Sequence, residues 1–249
     1  MILFLLIKIF LIIFLILVLV PIQLVSVLFR SRFRFLIPKI FHKRLLNILG
    51  VNLKVNGKPA LTKPLFFVGN HISYLDIVIL GSLHPICFIA KEEIKKWFFF
   101  GFLAKLQNSI FINRRNIKTL ETIKEINKNI DDSFAVVLFP EGTTSNGKNV
   151  LDFKTSLFSI FEKDSILALQ NFSLCYTHIN DLPIDNRSRP LVSWYGNMNM
   201  FNHLKNLIKL KSIGANITLH PPMRTKGLNR KEICSLSLEE VKKGFYSVN

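Results

Sequence analysis

Residues 2 to 20 are apolar apart from Lys8, and the run continues past Pro21 to Phe29. That exceeds the roughly 20 residues a spanning helix needs, and in a bilayer a single segment satisfies its own amides only as a helix. The stretch is too long for the apolar region of a signal peptide. It also lacks a leading basic cluster, and no small-x-small cleavage site follows, so residues 1–29 are expected to stay as a membrane anchor. Pro21 leaves two geometries open, a single span or a kinked helix that enters and leaves one leaflet.

Arg30, Arg32, Arg34, Lys39, Lys43 and Arg44 follow at once, in a basic juxtamembrane segment taken as residues 30–53. Such a flank stays in the cytoplasm and attracts anionic headgroups, which puts the remaining domain, 54–249, on the cytoplasmic side. Of the formal charge of +17 only Lys8 lies in the anchor. The basic remainder fits a phospholipid surface or nucleic acid, although a biased genome would also enrich lysine. An attached anchor makes the lipid surface the simpler partner, and no recognised nucleic-acid motif is present. The three cysteines, Cys87, Cys175 and Cys234, are far apart and read as buried thiols in a reducing compartment. The remaining histidines show no ligand spacing, so no metal is expected.

Short apolar runs at Leu65 to Val68, Ile86 to Ala90, Ile110 to Ile112 and Ala135 to Phe139 alternate with segments of helical content. The pattern predicts an α/β fold with a mixed sheet flanked by helices, behind an N-terminal membrane helix. The helices are expected over Tyr74 to Leu80, Glu92 to Leu106 and Ile117 to Ile130, with another after Ser237. Further strands are expected at Ile166 to Tyr176 and Leu191 to Tyr195. Within the second helix, Trp97 to Leu103 is apolar nearly all round, which suits either a dip into the membrane interface or a buried core helix.

Two motifs carry the chemistry. In Asn70-His71-x4-Asp76, an imidazole can take a proton from a hydroxyl while a carboxylate on its other nitrogen fixes the tautomer. Five positions on one helix would set the two side chains about 140° apart, so His71 must precede the helix, with Ser73 as a cap and Asp76 in the first turns. The alternative is a partly buried histidine with a structural bond. In Phe139-Pro140-Glu141-Gly142-Thr143-Thr144-Ser145, a strand ends in a turn that presents Glu141 and lets Gly142 approach a ligand. An ordinary loop has the same composition.

Together these segments resemble the first and third motifs of the glycerolipid acyltransferase family, which acylates glycerol phosphate or lysophosphatidic acid. Ile110-Phe111-Ile112-Asn113-Arg114 looks like the second motif, and Lys91 is similar to a lysine placed near the acceptor phosphate. The resemblance runs from about Lys54 to about Tyr195. It implies transfer of a fatty acyl group from an acyl-coenzyme A or acyl carrier protein thioester to a lysolipid hydroxyl, with no separate cofactor and no covalent enzyme intermediate. It further implies His71 as general base, Asp76 as its partner, Lys91 and Arg114 as ligands of the acceptor's anionic group, and Glu141, Gly142 and Thr143 as walls of the acceptor site.

By residue type alone, Arg114 with Arg115 could be a solvated pair and Lys91 a helix-start charge. Two positions depart from the family pattern: Thr144 stands where arginine usually follows Gly-Thr, and Asn171 where a proline is usual. Cys175-Tyr176 and Trp194-Tyr195-Gly196 resemble a bacterial branch that also holds lyso-ornithine lipid acyltransferases. The resemblance therefore places the protein at the cytoplasmic membrane of a bacterium. It implies lysophosphatidic acid as first acceptor, giving phosphatidic acid, and lyso-ornithine lipid, which lacks a phosphate, as the alternative. A non-catalytic, membrane-tethered module binding anionic lipid or nucleic acid by charge is the reading outside enzymology.

Overall fold

The computed structural model describes residues 2–61, 65–112, 134–161 and 168–248. Among them the strands are β1 (Val51–Asn56), β2 (Leu65–Gly69), β3 (Ile86–Lys91), β4 (Ile110–Ile112), β5 (Ala135–Leu138), β6 (Ala168–Ile179), β7 (Leu182–Pro183) and β8 (Ile213–Met223). They form one mixed sheet in the order β1-β8-β6-β2-β5-β3-β4, with β7 beside the end of β6. β2 to β6 run parallel, whereas β8 is antiparallel to β6 and parallel to β1. The central strands β2 and β5 are buried at every position, as parallel strands covered on both faces must be, and this is why they read as unbroken apolar runs.

The helices are α1 (Ile2–Leu28), α2 (Leu36–Leu49), α3 (Leu75–Leu83), α4 (Phe98–Leu106), α5 (Met200–Ile208) and α6 (Arg230–Tyr246). Residues 30–53, expected as a basic juxtamembrane segment ahead of the domain, hold α2 and the start of β1 and so belong to the fold. Ile37, Leu46 and Leu49 of α2 are buried, because its cations occupy one face and its apolar residues the other. The two helices α2 and α3 pack so closely that a Cβ on Gly81 would meet the His42 ring at 1.8 Å. Burial pushes the His42 imidazole down to about 4, so it packs as a neutral ring.

Three expectations are corrected. Glu92 to Leu106 is not one helix: a 3-10 turn, Glu92–Lys96, precedes α4, and Trp97 between them is extended. Trp97, Phe99 and Phe102 are exposed, so α4 is not a buried core helix. Leu191 to Tyr195 is not a strand. A 3-10 turn, Arg189–Leu191 with Pro190 at its centre, leads into it, and the following amides bond back to Arg189 or across to Ile72 and join no ladder. The C-terminal helix starts at Arg230, capped by a reciprocal Asn229–Glu232 box, and Ser237 lies buried within it. The helix expected over residues 117–130 lies outside the described residues.

At 27 residues α1 is about 40 Å long, and it is apolar enough to cross a membrane. It does not stand free of the domain. The Lys8 ammonium donates to the carbonyls of Leu49, at the end of α2, and Leu210, just past α5, at 2.9 and 2.7 Å. Cations favour helix C-termini because the last carbonyls lack partners. Some 15 residues on, about 22 Å along the axis, the Gln23 amide donates to Arg34 and Leu106 carbonyls at 2.8 and 2.6 Å. Most other α1 side chains are exposed, Leu28 and Ile2 at 76% and 73%. The helix therefore lies along the domain and turns an apolar face outward. Replacing Lys8 by Met keeps the stem but leaves both carbonyls without a donor, so the unfolding free energy in detergent should fall by about 2 kcal/mol. An unchanged denaturation midpoint would show that the clasp adds nothing.

Candidate active site

β2 delivers its last residues to the carboxyl edge of the sheet. There the Asn70 amide pairs with the Leu174 backbone in both directions, at 2.8 Å each way, which fixes the chain end against β6. His71 follows before α3 begins, and Asp76 falls in the first turn of that helix, where its charge also meets the helix dipole favourably. His71 Nδ1 lies 2.8 Å from Asp76 Oδ2. The same oxygen accepts the Ile72 and Ser73 N–H groups at 2.6 and 2.9 Å, and Oδ1 accepts the Tyr176 hydroxyl at 2.5 Å. Ser73 thus gives its amide to Asp76, and the cap position of α3 falls to Tyr74 with no side-chain bond. A carboxylate with no exposed area is tolerable only with such partners.

Because ionised Asp76 accepts only, the proton between the pair sits on Nδ1 and Nε2 carries the lone pair. Nε2 has no protein partner among the described residues, and the His71 side chain keeps 16% of its exposure. The Phe139 ring stacks flat on the imidazole, centroids 3.8 Å apart and planes 12° apart. One face of His71 is therefore covered while its edge stays open. The His71 and Ile72 carbonyls accept the Ser145 and Trp194 amides at 2.8 and 3.1 Å, which ties the turn to the Glu141 loop and to the segment after β7.

Glu141 stands behind this turn and bonds the His71 amide through Oε1 at 3.1 Å. It is 2% exposed, and Oε2 has no hydrogen bond. Burial, reinforced by the charge of Asp76, pushes its carboxyl up to about 8; the amides of His71 and, from outside hydrogen-bond geometry, Leu151 pull the other way. Gly142 next to it has φ +73°, a conformation only glycine adopts without strain. Thr143 is exposed and Thr144 half-buried.

Lys91 ends β3 at the same edge of the sheet, two strands from β2 and so on the order of 10 Å away. Its side chain is exposed and makes no bond to His71, Asp76 or Glu141 among the described residues. Arg114 lies outside the described residues. All three cysteines are buried and free. Asn171, the second departure, donates to Glu240 of α6 at 2.7 Å, so its amide docks a helix onto the sheet. Tyr176 is the site residue that the motifs do not show. A tyrosine inside an apolar strand needs a buried partner for its hydroxyl, but nothing in the sequence names Asp76 as that partner. A cavity of about 760 Å³ between β1, β8 and the end of β6, walled by Lys54 and Arg189, does not include the His–Asp pair.

The family model described as Acyltransferase matches residues 52–179, which contain the His71–Asp76 step, the Ile110–Arg114 segment and the Glu141 turn. The lyso-ornithine lipid O-acyltransferase of Rhizobium meliloti is 31% identical over 233 residues, 90% of this chain and 80% of that protein. This chain belongs to the acyltransferase family. It is also 36% identical to the 1-acyl-sn-glycerol-3-phosphate acyltransferase of Neisseria gonorrhoeae over 119 residues, 47% of this chain and 46% of that one. The crystal structure of the LPA acyltransferase PlsC from Thermotoga maritima superposes with a TM-score of 0.63 at 23% identity, covering 86% of this chain and 78% of that one. That match shows the same mixed α/β fold with flanking helices. The family makes the chain an enzyme of acyl transfer in lipid metabolism.

The elevated Glu141 carboxyl gives a pH signature. Below about pH 4.5 it is protonated folded or unfolded, and its contribution to stability is fully present. As pH rises the unfolded chain releases the proton first, so that contribution declines and is gone above about 8. Wild-type melting temperature should therefore fall more steeply between pH 5 and 8 than that of Glu141→Gln, in scans run side by side. Parallel curves would rule out a buried neutral carboxyl.

Proposed function

We propose that the enzyme transfers a fatty acyl group from an acyl-coenzyme A or acyl carrier protein thioester to the free hydroxyl of lyso-ornithine lipid. The observation that carries acyl transfer is the imidazole clamped at Nδ1 by a buried carboxylate and open at Nε2. In this reading Nε2 takes the acceptor's hydroxyl proton as the oxygen attacks the thioester carbonyl. Asp76 steadies the imidazolium, and the C–S bond then breaks as His71 returns the proton to the departing thiol. Glu141 acts from behind by fixing the His71 backbone, Gly142 permits the left-handed turn that places it, and Thr143 stands at the exposed rim. Lys91 and Arg114 are proposed to meet anionic parts of the substrates.

The acceptor is chosen on two grounds. Likeness to the Rhizobium enzyme runs along nearly the whole chain, whereas likeness to the Neisseria enzyme is confined to less than half of it. Thr144 also replaces a cation that a phosphate-bearing acceptor would use, which costs nothing where the acceptor has no phosphate. Lysophosphatidic acid is the second reading, favoured by the 36% identity across the motif region.

For the membrane, we propose that α1 rests within one leaflet and does not cross both, since Lys8 and Gln23 tether it to the domain near each end. Its outer face continues into exposed Phe33, Ile40, Trp97, Phe99, Phe102 and Phe201, a surface that would deliver a lysolipid sideways to the site. The domain then lies on the cytoplasmic side of a bacterial membrane, as the basic flank after residue 29 implies.

The test is acyl transfer from labelled acyl-coenzyme A and acyl carrier protein to both lysolipids. Lyso-ornithine lipid should be the faster acceptor, and His71→Ala should lose about 10²- to 10⁴-fold in kcat with the melting temperature retained. Turnover of lysophosphatidic acid alone would select the second reading, and an active His71→Ala would remove the proposed base.

A further inference from the structure

Asp76 carries its hydrogen bonds unevenly. Oδ2 takes His71 Nδ1 and the amides of Ile72 and Ser73, whereas Oδ1 takes the Tyr176 hydroxyl. The first three donors belong to the turn that the carboxylate itself organises. Tyr176 is different: it projects from β6, a strand paired on both sides, and is 4% exposed. Its phenol is therefore a fixed point against which the carboxylate can be aligned. Other titratable groups near this contact are His71 and Glu141 at the site and Tyr74 and Cys175 beside Tyr176.

We propose that Tyr176 is a positioning residue for acyl transfer, holding the Asp76 carboxylate in the one rotation that aligns His71 and drawing part of its charge away from the imidazole. The inference rests on His71 acting as the base. A phenol that donates to Oδ1 stabilises the ionised carboxylate and makes it a weaker proton acceptor. The proton taken from the acceptor thus stays on the imidazole, from which the leaving thiol can recover it. Deprotonation of the phenol is opposed by burial first and then by Asp76, so the hydroxyl is a donor across the working pH range.

Tyr176→Phe removes one oxygen and preserves the ring. The expected result is a 10- to 100-fold fall in kcat, the range for losing a bond to a charged group, with KM for donor and acceptor within twofold. With more charge left on the carboxylate, the imidazolium is favoured, and the acid limb of the kcat/KM profile should move up by about half a unit to one unit. In an Asp76→Asn background the same change should cost little further, since both act through one carboxylate. An unchanged kcat, a fall in kcat with an unmoved acid limb, or full additivity with Asp76→Asn would each overturn the proposal. His71→Ala run in parallel separates the two readings. If that variant keeps its activity, the base assignment fails and this inference with it. If it is inactive while Tyr176→Phe matches wild type, only the tyrosine's role is lost.

Discussion

A buried carboxylate that must be surrounded by donors organises this enzyme. Asp76 has no exposed area, and an ion in that position is held only if every lone-pair direction finds a proton. The donors come from the turn after β2, from His71 and from the middle of the sheet. Meeting that demand forces the chain to leave β2 abruptly, start α3 within a few residues and bring β6 alongside. The sheet therefore orients the imidazole as a by-product of solvating one charge.

A second carboxyl, Glu141, lies close by without an equivalent set of donors. Its surroundings favour the protonated form, so two acids with similar intrinsic chemistry are held in different ways within one site. One is acceptor to four donors, and the other is a brace against the His71 backbone. Phe139 completes the support by stacking on the ring and sits between Phe88 and Phe172. The imidazole is thus gripped on a face, at Nδ1 and through its backbone, leaving one edge for chemistry.

Much of this was legible in the residues. The parallel core strands announce themselves as apolar runs because burial on both faces demands it, and the five-residue step from His71 to Asp76 makes sense only at a strand-to-helix junction. What escaped reading had a weaker local signal. β8 alternates buried Ile213, Ala215, Ile217 and Leu219 with half-exposed Gly214, Asn216, Thr218 and His220, then runs through two prolines to Met223, a pattern easily passed over as loop. The break at Trp97 carries no proline or glycine to mark it, and Pro190 sits immediately before the run Leu191 to Tyr195 that otherwise looks like a strand. Tyr176 escaped because its partner is 100 residues away in sequence, and no local pattern encodes a contact of that range.

The clasp on α1 bears on the order in which the molecule can be assembled. Lys8 leaves the ribosome almost at once, yet its two acceptors lie 41 and 202 residues further on. Leu49 exists once α2 has been made, but until Leu210 is added the ammonium has only one of its two acceptors. The helix therefore completes its clasp on the domain only once the turn after α5 exists. The first element is thus fastened by one of the later ones, and a chain interrupted before Leu210 leaves Lys8 with Leu49 as its one acceptor in this clasp.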